Sequence, residues 1–269
     1  MTLPLKHVQV HRPEPSVAEV WLNRPEVRNA FNDEVIAELT QLFAALALEP
    51  TLRVVVLAGH GPAFCAGADL HWMRRMAQYA YQDNVNDATA LAQMLHVMDE
   101  LPVPMVARVQ GDVYAGGMGL VAVCDVVVAV PSAQFCLSEA RLGLCPATIS
   151  PYVVRAMGVQ AARRFMVTAE RFDAKQAHAM GMVHELCQPQ DLDTRVAELV
   201  QTMLANGPAA MRACKDLVRV VSNQPMTEAL RQETVRRIAD IRVSDEGQEG
   251  IQAFLNKRQP NWRTPSEAA

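Results

Sequence analysis

Arg53-Val-Val-Val-Leu-Ala58 leaves the chain few folds to choose from. It is an unbroken apolar run of strand length with no alternation, and such runs belong to strands covered on both faces, the usual state of a parallel sheet. Strand-length apolar runs recur at 105–109 and 126–130, and apolar residues at helical spacing fill 88–101 and 116–123. Strand and helix therefore alternate from about residue 50 to 145, which marks an α/β core. Ahead of it, His7-Val-Gln-Val10 and Ala18-Glu-Val-Trp-Leu22 alternate and predict a hairpin across Arg12-Pro-Glu-Pro15. Asn32 is placed to cap a helix whose apolar residues recur at Val35, Ile36, Leu39, Leu42, Phe43 and Leu46.

From Ser150 onward the pattern is almost wholly helical: 151–157, 160–168, 174–180, 192–205, 208–222, 226–242 and 246–257. A break near Pro146–Pro151 separates the two patterns, with no Gly/Pro/Ser-rich linker, so both parts are expected to pack closely. We read residues 1–195 as the core that holds the site and 196–269 as a helical C-terminal region. Several of these helices carry apolar stripes longer than one monomer covers, so a homo-oligomer is expected.

Bulk properties narrow the function. A net charge of −4 with interspersed signs gives no basic stripe and argues against a nucleic-acid binder. No apolar run reaches the ~18 residues of a membrane span, and Met1-Thr-Leu-Pro-Leu-Lys6 has no apolar signal core. The six cysteines (65, 124, 136, 145, 187, 214) never form a CxxC pair, and the seven histidines show neither HExxH nor HxH spacing. Neither a disulfide framework nor a metal site is expected, and the cytoplasm is the expected compartment.

Two segments have the composition to hold a negative oxygen: Phe64-Cys-Ala-Gly-Ala-Asp-Leu70 and Val109-Gln-Gly-Asp-Val-Tyr-Ala-Gly-Gly-Met-Gly-Leu120. Each is a hydrophobic strand that breaks into small residues before a helical pattern, leaving backbone N–H groups free to point at an anion. The carboxylate that follows them is Glu139, in Ala133-Gln-Phe-Cys-Leu-Ser-Glu-Ala-Arg-Leu-Gly-Leu144. Two such donors and one acid–base carboxylate suffice for enolate chemistry on a thioester. A carboxyl near Phe135, Leu142 and Leu144 is expected to have a raised pKa.

In this order, and with Leu22-Asn-Arg-Pro-Glu-Val-Arg-Asn-Ala30, Gln-Gly-x-x-x-x-Gly-Gly, Cys-Asp, Ser-Glu-x-x-Leu-Gly and Phe254-Leu-Asn-Lys-Arg258, the chain resembles the enoyl-CoA hydratase/isomerase family, the crotonase superfamily. The resemblance runs along nearly the whole chain. It implies an α/β fold, a spiral of ββα units followed by an α-helical trimerisation region, assembled as a trimer or a dimer of trimers. It also implies an acyl-CoA thioester as substrate and no resident cofactor. By position, the N–H groups of Ala68 and Gly116 become the oxyanion hole. Ala66, Ala68, Asp69 and Leu70 fall where CoA is bound, with the Asp69 side chain expected to cap the following helix. Arg28 and Lys257 fall where cations approach the nucleotide, Lys257 in its own or a neighbouring subunit.

Many hydratases of the family use two glutamates; one matches Glu139, and the position of the other is Gly119 here. A lone glutamate suits a Δ3,Δ2-enoyl-CoA isomerase, a one-glutamate hydratase, or a protein that binds CoA without turnover. The replacement loop Pro146-Ala-Thr-Ile-Ser-Pro-Tyr-Val-Val-Arg155, with Gly119-Leu-Val121 and Ser244-Asp-Glu-Gly-Gln-Glu-Gly250, is similar to hydratases of methylglutaconyl-CoA in leucine breakdown and of carboxygeranoyl-CoA. That favours a hydratase of a branched, carboxylated acyl-CoA over an isomerase or a short-chain hydratase of fatty acid metabolism. The distal carboxylate would need Arg141, Arg155 or Arg108. Trp72, Met73 and Met76 share a helical face suited to packing, or to lining an acyl tunnel. One family member also binds AU-rich RNA, which calls for a lysine-rich helix; Met73-Arg-Arg-Met76 and the acidic turn after it do not supply one.

Overall fold

β1 (Val8–His11) and β2 (Val17–Leu22) form the expected antiparallel hairpin, with Val8 opposite Leu22. Asn32 caps α1 (Asp33–Ala47), its side-chain oxygen accepting from the Val35 N–H. All six predicted apolar positions of that helix are buried, each worth about 1.5–3 kcal/mol when fully removed from water. β3 (Val54–Gly59) is buried at every residue, as its unbroken apolar run requires. The computed structural model describes residues 5–263; residues 1–4 of the opening stretch and 264–269 of the expected C-terminal region lie outside the described residues.

The chain continues through β4 (Ala63–Cys65), α2 (Leu70–Met76), α3 (Tyr81–Asp99), β5 (Met105–Val109), β6 (Asp112–Tyr114), α4 (Gly116–Ala122), β7 (Val126–Ala129) and β8 (Gln134–Cys136). After a 3-10 turn at Glu139–Leu142 come α5 (Ser150–Met157), α6 (Val159–Thr168), β9 (Arg171–Asp173), α7 (Ala174–Ala179), β10 (Glu185–Leu186), α8 (Leu192–Leu204), α9 (Pro208–Val221), α10 (Glu228–Val243) and α11 (Asp245–Leu255).

Two sheets share these strands: β1-β2-β3-β5-β7-β10 and β4-β6-β8-β9. Each turn of the chain lays one strand in the large sheet, one in the small sheet, and then a helix. β3 with β4, β5 with β6 and β7 with β8 are the three successive turns of this ββα spiral. Apart from the β1–β2 and β8–β9 pairs, the pairing is parallel. The helical reading beyond Ser150 is corrected at two places: β9 joins the small sheet beside β8, and β10 joins the large one beside β7. Both strands are too short to interrupt a helical apolar pattern visibly.

α8 packs on β3, β5 and β7. α9 and α10 contain no buried residue, and α11 buries only Ala253. No described helix is long and apolar enough to cross a membrane.

Candidate active site

β4, β6 and β8 lie side by side and parallel, with Cys65 opposite Val113 and Tyr114 opposite Cys136. Their carboxyl ends are therefore level, and ligand crevices in α/β sheets form outside such ends. Ala68, Gly116 and Glu139 each follow one of these three strands within a few residues, so the small sheet gathers the three predicted groups along one rim.

The Ala68 loop is clamped by the segment Arg24–Phe31. The Ala66 N–H donates to Arg28 O (3.0 Å), the Phe31 N–H to Gly67 O (2.9 Å) and the Asp69 N–H to Phe31 O (2.9 Å). The buried Asn29 side chain donates to His60 O and Ala63 O, and Arg24 donates both to Ala30 O and to Asp69 Oδ2 (2.8 Å). Within the loop, Gly67 and Asp69 face inward while Ala66 and Ala68 keep part of their surface open. Among the described residues no acceptor takes the Ala68 N–H.

The Gly116 amide opens α4 and likewise meets no acceptor among the described residues. The residue before it, Ala115, holds φ 48° and ψ −121°, which for a non-glycine costs about 1–3 kcal/mol. The Ala115 N–H donating to Cys136 O (2.8 Å) helps retain that turn. α4 is tightly packed, with six of its seven residues buried. A Cβ on Gly117 would stand 2.7 Å from Cys65 O, and one on Gly116 would strike the Phe31 ring.

Glu139 begins the 3-10 turn after β8 and is partly buried. Its Oε2 is buried without a hydrogen-bond partner. Burial pushes the carboxyl pKa up, as expected. The expected source of that burial needs correcting: Phe135 is enclosed, but Leu142 and Leu144 are 60% and 58% exposed and do not wall off the carboxyl.

At Gly119 a Cβ would stand 2.6 Å from Ile149 Cγ2 and 3.4 Å from Leu95 Cδ2. Ile149, from the unusual 146–155 loop, is 2% exposed and fills this space with hydrocarbon. An apolar plug thus occupies the place where the resemblance puts a second carboxylate, a pairing that neither position reveals alone.

The remaining predicted residues fall as follows. Asp69 caps α2, accepting from the His71 and Trp72 N–H groups, and its ion pair with Arg24 and these bonds hold its pKa low despite burial. Leu70 is exposed, and Arg28 is half-exposed and paired with Asp112 at 2.7 Å. Lys257 lies on an exposed turn after α11, which packs against α9 and α10. Of the three arginines, Arg155 is paired with Asp99 and Arg108 with Asp193 (2.5 Å). Arg141 donates to Ala169 O and meets no carboxylate among the described residues. Trp72 is core, 6.0 Å from Phe31 ring to ring, with its N–H donating to Asp87. Among the described residues no three His, Cys, Asp or Glu side chains gather as a metal would need.

The sequence assigned no role to Phe31, to Arg24 within the Leu22–Ala30 motif, or to Ile149 within the 146–155 loop.

The enoyl-CoA hydratase/isomerase family profile matches residues 12–265. A crystal structure of an enoyl-CoA hydratase from Shewanella pealeana is 39% identical, with a TM-score of 0.92 over 96% of this chain and 97% of that one. The 2,3-dehydroadipyl-CoA hydratase of Escherichia coli is 32% identical over 90% of this chain and 93% of its own length. The mevalonyl-coenzyme A hydratase of Aspergillus fumigatus is 30% identical over 93% of each.

Proposed function

The chain belongs to the enoyl-CoA hydratase/isomerase family, and from that premise we propose that it hydrates the 2,3-double bond of a branched, carboxylated acyl-CoA of the 3-methylglutaconyl type. The observation that carries the chemistry is Glu139: a partly buried carboxyl with a raised pKa and an unpartnered oxygen, on the same rim as two unengaged amides. The Ala68 and Gly116 N–H groups hold the thioester oxygen and stabilise charge as it develops there, each worth about 3 kcal/mol in the transition state. Glu139 as carboxylate takes a proton from water while the hydroxide adds to C3. The resulting carboxylic acid returns that proton to C2 of the enolate, completing addition of H and OH.

The carboxylated substrate is supported by the names of two relatives, one a hydratase of a dicarboxylic acyl-CoA and one of a branched acyl-CoA, and by the replaced 146–155 loop. Arg141 is the candidate for the distal carboxylate, since Arg155 and Arg108 are committed to Asp99 and Asp193. Ala66, Ala68, Asp69, Leu70 and Arg28 are assigned to CoA, and Lys257 to the CoA of a neighbouring subunit. Exposed Val235, Ile238, Val243 and Phe254 support residues 196–269 as the oligomerisation region of a trimer or a dimer of trimers. Six free cysteines, three of them buried, fit the cytoplasm.

A second reading, Δ3,Δ2-enoyl-CoA isomerase, is favoured by one observation: Ile149 leaves no polar group at Gly119 to hold a water. There Glu139 would take the C2 proton and return it at C4. Turnover assays of the wild type on 3-methylglutaconyl-CoA, crotonyl-CoA and 3-hexenoyl-CoA separate the readings. Hydration of the first above the second supports the proposal. Conversion of 3-hexenoyl-CoA without hydration of either overturns it in favour of the isomerase.

A further inference from the structure

Phe31 touches both halves of the oxyanion hole. Its backbone bridges the Ala68 loop on either side of Ala68, donating to Gly67 O and accepting from the Asp69 N–H at 2.9 Å each. The Ala68 N–H therefore points away from the bridge, its direction set by the two bonds that flank it. The Phe31 ring lies against Gly116 so closely that a Cβ there would strike it. The ring is 2% exposed and braced by Trp72, which is itself tied to α3 through Asp87.

We infer that Phe31 is a positioning residue that sets the spacing of the Ala68 and Gly116 amides. The physical need is plain. The two donors come from different turns of the spiral, and the parallel pairing of β4 with β6 shifts register between Ala63 and Cys65. Strand pairing alone therefore does not fix how far Ala68 stands from Gly116. A rigid aromatic side chain, rooted in one loop and resting on the other, acts as a spacer between them. Phe31 touches no substrate in this role; it acts through the two amides. The neighbouring Gly116 follows as a consequence: any side chain there would have to displace the spacer.

The inference rests on the oxyanion-hole reading of Ala68 and Gly116, and its test separates the two. The probe is butyryl-CoA carrying carbon-13 at the thioester carbonyl, a saturated ester that undergoes neither hydration nor isomerisation. Hydrogen bonds to a carbonyl lower its stretching frequency, so isotope-edited infrared difference spectra report how well both donors reach the oxygen. Wild type is expected to lower the frequency. Phe31→Leu, which keeps an apolar backbone bridge but loses the ring tip, is expected to lose at least half of that shift, while its dissociation constant for butyryl-CoA stays within roughly fivefold of wild type. Turnover of the substrate found above falls about tenfold to a hundredfold in kcat, the scale of a displacement of a fraction of an ångström to one ångström. Phe31→Met, with a long flexible side chain reaching the same space, recovers part of the shift. A folded Phe31→Leu with the wild-type shift and wild-type kcat overturns the inference. No shift in the wild type overturns the oxyanion-hole reading, and the inference with it.

Discussion

α4 and α10 are opposite solutions to placing a helix. α4 has seven residues and buries six of them, touching β4, β6 and α5. α10 has sixteen residues and buries none; what it shows is a run of ion pairs, Arg236 with Glu233 and Asp240, and Arg237 with Glu233 and Asp216. A short helix held on all sides cannot drift, and a backbone amide at its start is as well placed as any side chain. A long helix held by surface charges is positioned only to the extent that something else covers Val235 and Ile238. The proposed chemistry sits beside the first kind, and the proposed association falls to the second.

The sharpest test of that division is Glu139→Gln, at the rim that α4 helps to build. Turnover is expected to fall about 10²–10⁴-fold, with the sedimentation coefficient unchanged. Stability should move the other way. The Glu139 pKa is raised in the folded state, so its contribution is fully present below the ordinary carboxylate value and is lost as pH rises through the folded value. Glutamine removes that penalty, so the variant should melt above wild type at pH 8 and lose this advantage near pH 4. A variant less stable than wild type at pH 8 would mean that the carboxyl is not disfavoured by its surroundings.

Next in size is the pair Val235→Asp and Ile238→Asp on α10. If association is what covers this face, two buried charges should weaken it by about 2–4 kcal/mol and yield smaller species at micromolar concentration. The monomer's own melting should change little, since neither residue is buried in it. An unchanged assembly would break the comparison from the α10 side and leave α9 or α11 as the interface.

How far these two helices were legible in the sequence differs for a physical reason. α1 and the hairpin announce themselves by their period and by a cap or turn at their ends, and β3 and β5 by apolar runs of strand length. The small sheet does not: β4, β6, β8 and β9 have three residues each, too few to show alternation. α3 starts at Tyr81 and not at 88 because its first turns are exposed and polar, begun by the Ala80 N–H donating to Asp83. Glu139 and the small-residue segments around Ala68 and Gly116 stand out by composition, and their individual roles come from the family resemblance. What joins them, the Phe31 bridge and the Ile149 plug, depends on contacts between residues far apart in the chain and leaves no local pattern. Arg108 and Arg155 could not be told from Arg141 for the same reason, since the carboxylates that pair with them, Asp193 and Asp99, lie distant in sequence.

Gly119→Glu probes the tight side of the comparison with a smaller effect. The new side chain meets Ile149 and Leu95 in a space already filled, so overpacking should cost about 1–3 kcal/mol, with the desolvated carboxyl adding to it. Ile149→Ala in the same chain should return part of that loss, and the double-mutant cycle measures the contact directly. If the single variant is as stable as wild type, α4 is not fixed by its packing, and the contrast with α10 fails.

The smallest effect expected is at Arg237, which holds Asp216 of α9 at 2.6 Å and Glu233 of its own helix at 2.7 Å. Arg237→Ala removes both contacts. Surface pairs of this kind are worth about 0–1 kcal/mol because solvent screens them and two long side chains must be ordered. The loss should shrink further when denaturation is repeated at roughly 0.5 M salt, where screening acts over a few ångströms. Packing leaves no such signature: the cost of Gly119→Glu should stay the same at both ionic strengths. A salt-independent loss well above 1 kcal/mol at Arg237 would mean that its aliphatic stem packs against α9, and that α10 is held by burial after all.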